Sequence, residues 1–236
     1  MTAQLPFNTE ETVLVNTPMI AVMNDTANAG LALKNLSELK LLYQILAPSS
    51  DFLEIGCGSG YLIEELSRRG KGTYHGIEPI PSEAEKAVTR LKKSFPEQNN
   101  FRLIQNKKIE DADIAERSLD FIYSNHVFEH LENPLIMLNK AKKWLKPGGS
   151  LIIICPNVEG YFPQKNLVSW RCTLSSHRWL PGVSTISRAV TENGFRIQRL
   201  YTYGGFPAPR APLQTFFNYL LKLSGKGDVL CLHAVT

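Results

Sequence analysis

Long apolar runs are missing from this sequence. The longest, Leu151-Ile152-Ile153-Ile154-Cys155, has the length of a strand and falls far short of the roughly 20 apolar residues that span a bilayer. Cysteine is scarce. The four residues, at 57, 155, 172 and 231, show no C-x-x-C spacing, which excludes a disulfide framework and a zinc ribbon and fits a reducing, cytoplasmic setting. The opening stretch MTAQLPFNTEET lacks a basic segment followed by an apolar one, so no secretory signal is expected there. Repeats and low-complexity tracts are absent. With 16 Gly, 14 Pro and 43% hydrophobic residues in 236, collagen-like and disordered chains are excluded. Acid is lacking at one end only. Residues 161–236 hold nine basic and two acidic side chains, a net of +7, against −3 for residues 1–160. Such an excess suggests an anionic ligand or surface near that end, or simply a solvated face. No basic run interleaved with aromatics points to nucleic acid.

What is present is an alternation of strands and helices. Residues 28–46 place Leu31, Leu36, Leu39, Leu42, Tyr43 and Leu46 on a helical stripe, which predicts an amphipathic N-terminal helix after a turn-rich start. Strands are expected at 51–55, 73–78, 101–105, 119–124 and 150–155. Helices are expected at 61–69, 81–95 and 134–145, the last ended by a Lys146-Pro147-Gly148-Gly149 turn. Repeated βα units with near-continuous apolar strands imply a parallel sheet covered by helices. Beyond residue 156 the pattern loosens. A helix at 183–193 and strands at 195–203 and 228–235 are separated by two Pro-bearing insertions, 158–182 and 204–226, the second carrying a short apolar helix near 216–223.

The strand ending at Ile55 runs into Gly56-Cys57-Gly58-Ser59-Gly60, and a helix follows. Three alternate glycines leave a turn that a ligand can approach closely, in front of a helix N-terminus with unpaired N–H groups. Glu78 ends the next strand, where a carboxylate can accept both hydroxyls of an adenosine ribose. The NAD fingerprint G-x-G-x-x-G is broken, because Tyr61 stands where its third glycine would fall. Glu54, two residues before the first glycine, gives a pyrophosphate nothing but could hold an ammonium. A ligand with ribose, adenine and an α-amino acid satisfies all of these, which is S-adenosylmethionine.

The segments LEIGCGSG (53–60), GIEP (76–79), LDFIYSNHVFEHLENP (119–134) and LKPGGSLIIICPN (145–157) resemble the class I S-adenosylmethionine-dependent methyltransferases, in that family's order and spacing. The resemblance implies a single α/β domain, a doubly wound, Rossmann-like seven-stranded sheet, parallel with one antiparallel edge strand. It divides the chain into an N-terminal helical cap (1–47), a cofactor-binding core (48–157) and insertions covering the acceptor. It also implies that Glu54 lies at the methionine amino end and that Gly56, Cys57, Gly58 and Gly60 form the turn beneath the cofactor. Glu78 would bind the ribose, and Pro79 or Ile80 would lie by the adenine, which Ile109 and Glu110 would flank. Asn125 would offer a backbone carbonyl near the methionine. Lys108 stands where the family often has Asp.

His126, Glu129 and His130 fall at i, i+3 and i+4, one face of a helix if a helix forms there, and His177 comes from the first insertion. Neutral imidazole can take a proton from an acceptor hydroxyl or amine. Two or three His with Glu can instead bind a divalent metal, and helix packing is the third reading. The base reading, with His126 and His130 catalytic, is taken here and no metal is assigned. The resemblance then implies transfer of a methyl group to oxygen or nitrogen of an anionic small molecule, a glycan precursor or secondary metabolite. The alternatives are a non-catalytic cofactor-binding scaffold, or a metal-assisted O-methyltransferase acting on RNA or a polyphenol.

Overall fold

In the computed structural model the described residues are 46–47, 49–68, 72–96, 102–170, 172–205 and 212–236. The helix expected over 28–46 and the turn-rich start before it lie outside them, as do Pro207 and Pro209 of the second insertion. The elements are β1 (Phe52–Ile55), α1 (Tyr61–Ser67), β2 (Tyr74–Ile77), α2 (Pro81–Ser94), β3 (Arg102–Gln105), β4 (Leu119–Asn125), α3 (Pro134–Trp144) and β5 (Leu145–Pro156). They continue with α4 (Tyr161–Lys165), α5 (Val183–Glu192), β6 (Arg196–Tyr203), α6 (Pro212–Leu223) and β7 (Val229–Val235). The seven strands form one sheet in the order β3-β2-β1-β4-β5-β7-β6. The pairs β1–β2 and β2–β3 are parallel, and β6–β7 is antiparallel, so the expected mixed sheet is present.

The residues group into two compact units, one running up to Tyr123 and taking in Lys143–Ser150, the other made of Ser124–Lys142 and Leu151–Thr236. In the first, β1 is buried at every position, as expected for a strand covered on both faces. Phe52 stacks on Phe121 at 6.3 Å between ring centroids. Pro81 opens α2, and Ala84, Ala87 and Leu91 form its buried stripe. At the amino end of β1, Lys146 pairs with Asp51 at 3.0 Å and Asp120 at 2.9 Å. Hydrogen bonds to Asp120 and Asp51 hold the Lys146 ammonium above its ordinary pKa. The loop expected at 146–149 is instead the start of β5, which reaches back to Leu145. Gly148, with φ 78°, is accommodated inside the strand.

In the second unit the first insertion has a small core of its own. Val158, Trp170, Cys172 and Leu180 pack together with Phe162 and Leu167 against them. Trp170 Nε1 donates to Asp228 Oδ2 at 3.1 Å, and Asn157 Nδ2 donates to the Gly227 carbonyl at 2.7 Å. The short helix α4 inside this insertion was not expected from the sequence. Lys142 donates to the Gly194 carbonyl and lies 5.0 Å from the Phe195 ring centroid.

Candidate active site

The glycine turn closes the carboxyl end of β1. Gly56, Gly58 and Gly60 have φ of 72°, 49° and 77°, the left-handed region that favours glycine. A Cβ at Gly58 would meet nothing within 4 Å, so the turn is open on that side. At Gly60 it would lie 3.0 Å from Ala87 Cβ, so this glycine lets α1 and α2 approach. Cys57 is turned inward and buried. Burial, then the neighbouring Glu54 and Glu78, push its thiol far up. Its side chain therefore packs the core, and only its backbone is available to a cofactor.

Glu78 is buried and stitches this turn together. Gly58 N–H donates to Oε2 at 2.8 Å, and Ile80 N–H donates to Oε1 at 2.9 Å. Asn106 Nδ2 donates to the Glu78 carbonyl at 2.8 Å. Each carboxylate oxygen keeps a further lone pair for a ribose hydroxyl. Pro79 and Ile80 are exposed beyond it. Ile109 is buried in a 3₁₀ turn with Glu110 half-buried beside it. Lys108 is exposed.

Glu54 is 8% exposed, and its Oε2 has no hydrogen-bond partner. Burial, and then the Glu78 carboxylate, hold its carboxyl well above the usual range. A buried, unpartnered carboxylate costs stability unless a cation meets it. This orphaned oxygen beside an open glycine turn is what the α-ammonium of S-adenosylmethionine fits.

Sequence reasoning missed Gly76. A Cβ there would fall 2.6 Å from Cys57 Sγ and 2.7 Å from both Ile104 Cδ1 and Ile63 Cδ1. The signal was a glycine inside an apolar strand, which marks a close approach.

In the second unit, β4 ends at Asn125, which is half-buried. The helix that would align His126, Glu129 and His130 does not form. His126 has φ 53°, and only Phe128–His130 make a single 3₁₀ turn. The His126 N–H donates to the Ile154 carbonyl at 2.9 Å, a long-range bond that helical geometry cannot make. The side chains still meet. His126 Nδ1 lies 2.9 Å from Glu129 Oε1, with His126 46% exposed and Glu129 fully buried. A carboxylate only accepts, so the Nδ1 proton is directed at Glu129 and Nε2 is left to accept.

His130 turns elsewhere. Its Nδ1 lies 3.0 Å from the Ser176 carbonyl, and its ring meets that of His177 edge-on at 4.6 Å. Glu129, His130 and His177 bring ligand-capable atoms within 4.8 Å of one another. Glu129 Oε2 and His177 Nδ1 have no hydrogen-bond partner. Burial keeps His177 below the ordinary histidine pKa, opposed by Glu129 and aided by His130. The Glu129 carbonyl accepts from the backbone N–H of Arg178 and Trp179 at 2.8 and 3.2 Å. Trp179 Nε1 donates to the Leu131 carbonyl at 2.8 Å. These bonds hold the histidine turn against the first insertion.

A family model described as a methyltransferase domain matches residues 28–200, and the chain belongs to this family of S-adenosylmethionine-dependent methyltransferases. Among curated proteins it is similar to the mitochondrial ubiquinone biosynthesis O-methyltransferase of Dictyostelium discoideum, 30% identical over 110 residues, 43% of this chain and 33% of that protein. It is also similar to the tRNA U34 carboxymethyltransferase of Methylococcus capsulatus, 28% identical over 151 residues, 63% of this chain and 45% of that one. The chain thus matches less than half the length of both relatives. Among solved structures, the S-adenosylmethionine-dependent methyltransferase of Mesorhizobium loti has the same fold. It superposes with a TM-score of 0.62 at 14% identity, covering 86% of this chain and all of that one. No helix among the described residues is long and apolar enough to cross a membrane.

Proposed function

We propose that this chain transfers a methyl group from S-adenosylmethionine to an oxygen or nitrogen of an anionic small molecule. The observation that carries the reading is the orphaned, buried Glu54 carboxylate beside the open glycine turn and Glu78. In this reading Glu54 holds the α-ammonium, Glu78 the ribose hydroxyls, Pro79, Ile80, Ile109 and Glu110 the adenine, and the Asn125 carbonyl the methionine end. S-adenosylmethionine, when bound, would supply an electrophilic methyl to the acceptor's lone pair, with S-adenosylhomocysteine as the leaving group.

The chain's own contribution is to position the acceptor, to exclude water and to take the proton. His126 Nε2 receives the acceptor's proton, and Glu129, already on Nδ1, offsets the imidazolium charge. The net +7 of residues 161–236 supports an acceptor bearing carboxylate or phosphate. Calorimetric titration with S-adenosylhomocysteine should give saturable heat, and NAD none. Gly58→Val puts a side chain into open space, though at a left-handed backbone that strains it, and should abolish that heat in protein that circular dichroism shows to be folded. Unchanged binding by folded Gly58→Val would remove the basis of the assignment.

A second reading is supported by the cluster of Glu129, His130 and His177. A divalent ion held by Glu129 Oε2, His177 Nδ1 and His130 Nε2 would acidify an acceptor hydroxyl, and the two orphaned atoms fit that role. Turnover that stops with chelator and returns with a divalent ion selects this reading. Turnover indifferent to chelator removes the metal reading.

A further inference from the structure

The helix α6 is mounted with its apolar side outward. Leu213, Phe216, Tyr219, Leu220 and Leu223 are all exposed, from 43% for Leu220 to 76% for Leu213, and they include five of the nine exposed large hydrophobic residues among those described. The opposite side, with Gln214, Phe217, Asn218 and Leu221, is the more buried one, and α6 packs on β6. At Gly205 an added Cβ would meet the side chains of Asn218 and Leu221. An amphipathic helix docked for its own stability buries its apolar stripe. This one buries Leu221 and half-buries Phe217 but leaves its other five large apolar side chains exposed, and contiguous exposed apolar surface of this kind marks an interaction site.

The apolar face continues into a groove of about 500 Å³ lined by Tyr161, Phe217, Leu220, Leu221, Leu223 and Lys226. Tyr161 meets Phe217 edge-on at 5.3 Å. The border of the patch is cationic. Lys165, Lys222 and Lys226 are exposed there, with Lys165 Nζ 5.6 Å from the Tyr161 ring centroid and Lys222 Nζ 5.9 Å from that of Tyr201. Between Glu192 and Asp228 the chain carries five basic residues and no acid.

We propose that α6 is an interfacial helix that lays this face on an anionic lipid surface, with Lys165, Lys222 and Lys226 at headgroup level. Twelve residues make a helix about 18 Å long, too short to cross a hydrocarbon core of about 30 Å and suited to lying in its boundary. Charge separates this occupant from a second copy of the chain. A two-fold contact through the same face would bring two copies of the lysine border into one interface, whereas anionic headgroups neutralise it. The proposal stands independently of which acceptor is methylated.

The test is flotation of the full chain with two vesicle preparations, phosphatidylcholine alone and phosphatidylcholine with phosphatidylglycerol. The chain should float with the anionic vesicles, less so at high salt, and much less with phosphatidylcholine alone. The Phe216→Glu, Leu223→Glu double variant should lose at least about tenfold in vesicle affinity, with S-adenosylhomocysteine affinity unchanged as the check on folding. Should that variant fail to fold, Lys222→Glu with Lys226→Glu should lower binding to anionic vesicles by about fivefold or more per lysine. Failure of the wild-type chain to float with anionic vesicles, or flotation that none of these substitutions weakens, overturns the proposal. So does concentration-dependent dimerisation that Phe216→Glu abolishes in the absence of vesicle binding, which assigns the face to a second copy.

Discussion

His126 Nδ1 lies 2.9 Å from Glu129 Oε1 although the two residues share no α-helical turn. The contact is made by a residue at φ 53°, a left-handed conformation in which His, Asn and Asp are the non-glycine residues most often found. A polar tip is aimed outward while its carboxylate partner stays fully buried. In the proposed reading the exposed imidazole is the base and the buried carboxylate orients it.

Replacement of His126 by Asn keeps a side chain that tolerates the left-handed backbone and removes the base. Turnover of the true acceptor should fall by about 10²–10⁴, with S-adenosylhomocysteine affinity preserved. Stopped-assay kinetics alongside calorimetry check this. Full activity in a His126→Asn, His130→Ala double variant, with no response to chelator, would reduce the histidine turn to a packing element.

Glu54→Gln should separate stability from binding. The folded carboxyl is held above its ordinary pKa by burial and by Glu78. The wild-type contribution is therefore complete below about pH 4, the unfolded carboxyl value, and is lost as pH rises through the folded value. The Gln variant escapes that loss. Its melting temperature should exceed that of the wild type at pH 8 and match it near pH 4. Its cofactor affinity should fall about tenfold or more, because a charged hydrogen bond of roughly 1.5–3 kcal/mol goes missing. A melting curve that shows no pH-dependent gain would mean Glu54 is solvated in solution.

Glu78→Ala deletes the acceptor for both the Gly58 and the Ile80 amides. Cofactor affinity should drop about ten- to a hundredfold. Hydrogen exchange at those two amides should accelerate even without ligand. Exchange left unchanged at both would show that the turn holds itself.

Gly76→Ala forces a methyl to within 2.6–2.7 Å of Cys57, Ile104 and Ile63. Overpacking of this kind costs about 1–3 kcal/mol. For a chain of this size that is a loss of roughly 2–4 °C in melting temperature per kcal/mol. Differential scanning calorimetry reads it directly, and an unchanged transition would mean that α1 moves aside freely.

Buried His177 and half-buried His75 and His233 all sit below the ordinary histidine pKa, each chiefly through desolvation. The unfolded chain takes up their protons first, so stability should be full above about pH 6.5 and decline as pH falls through the folded values. Chemical denaturation at pH 7.5 and pH 5.5 should show a lower midpoint at the acid end. Variants replacing His75 and His233 by Gln should flatten the difference.

Much of this arrangement was legible in the residues. Strand β1 and the glycine turn were placed to within a residue, because a short apolar run meeting alternate glycines has few alternatives. Two features escaped for the same reason, that long-range bonds override local pattern. Lys146-Pro147-Gly148-Gly149 reads as a turn, yet Lys146 is tied to Asp51 and Asp120 and the stretch joins β5. His126 to His130 reads as a helical face, yet the His126 amide is taken by Ile154. The pairing of His130 with His177 depends on how the first insertion folds back, and no spacing rule reaches across the two helices, the strand and the loops between them.

Strand β7 follows β6 in the chain but lies between β5 and β6 in the sheet. The order of synthesis and the order of assembly are therefore reversed. While a nascent chain has emerged only as far as Tyr203, β6 has no neighbour to pair with and β5 keeps a raw edge, the kind of edge that invites pairing with another chain. The connecting stretch that includes α6 must then leave the ribosome before β7 can slide into the gap and close both edges at once. Protease sensitivity of chains released at successive lengths should stay high at β6 until Val235 is free, then fall in a single step.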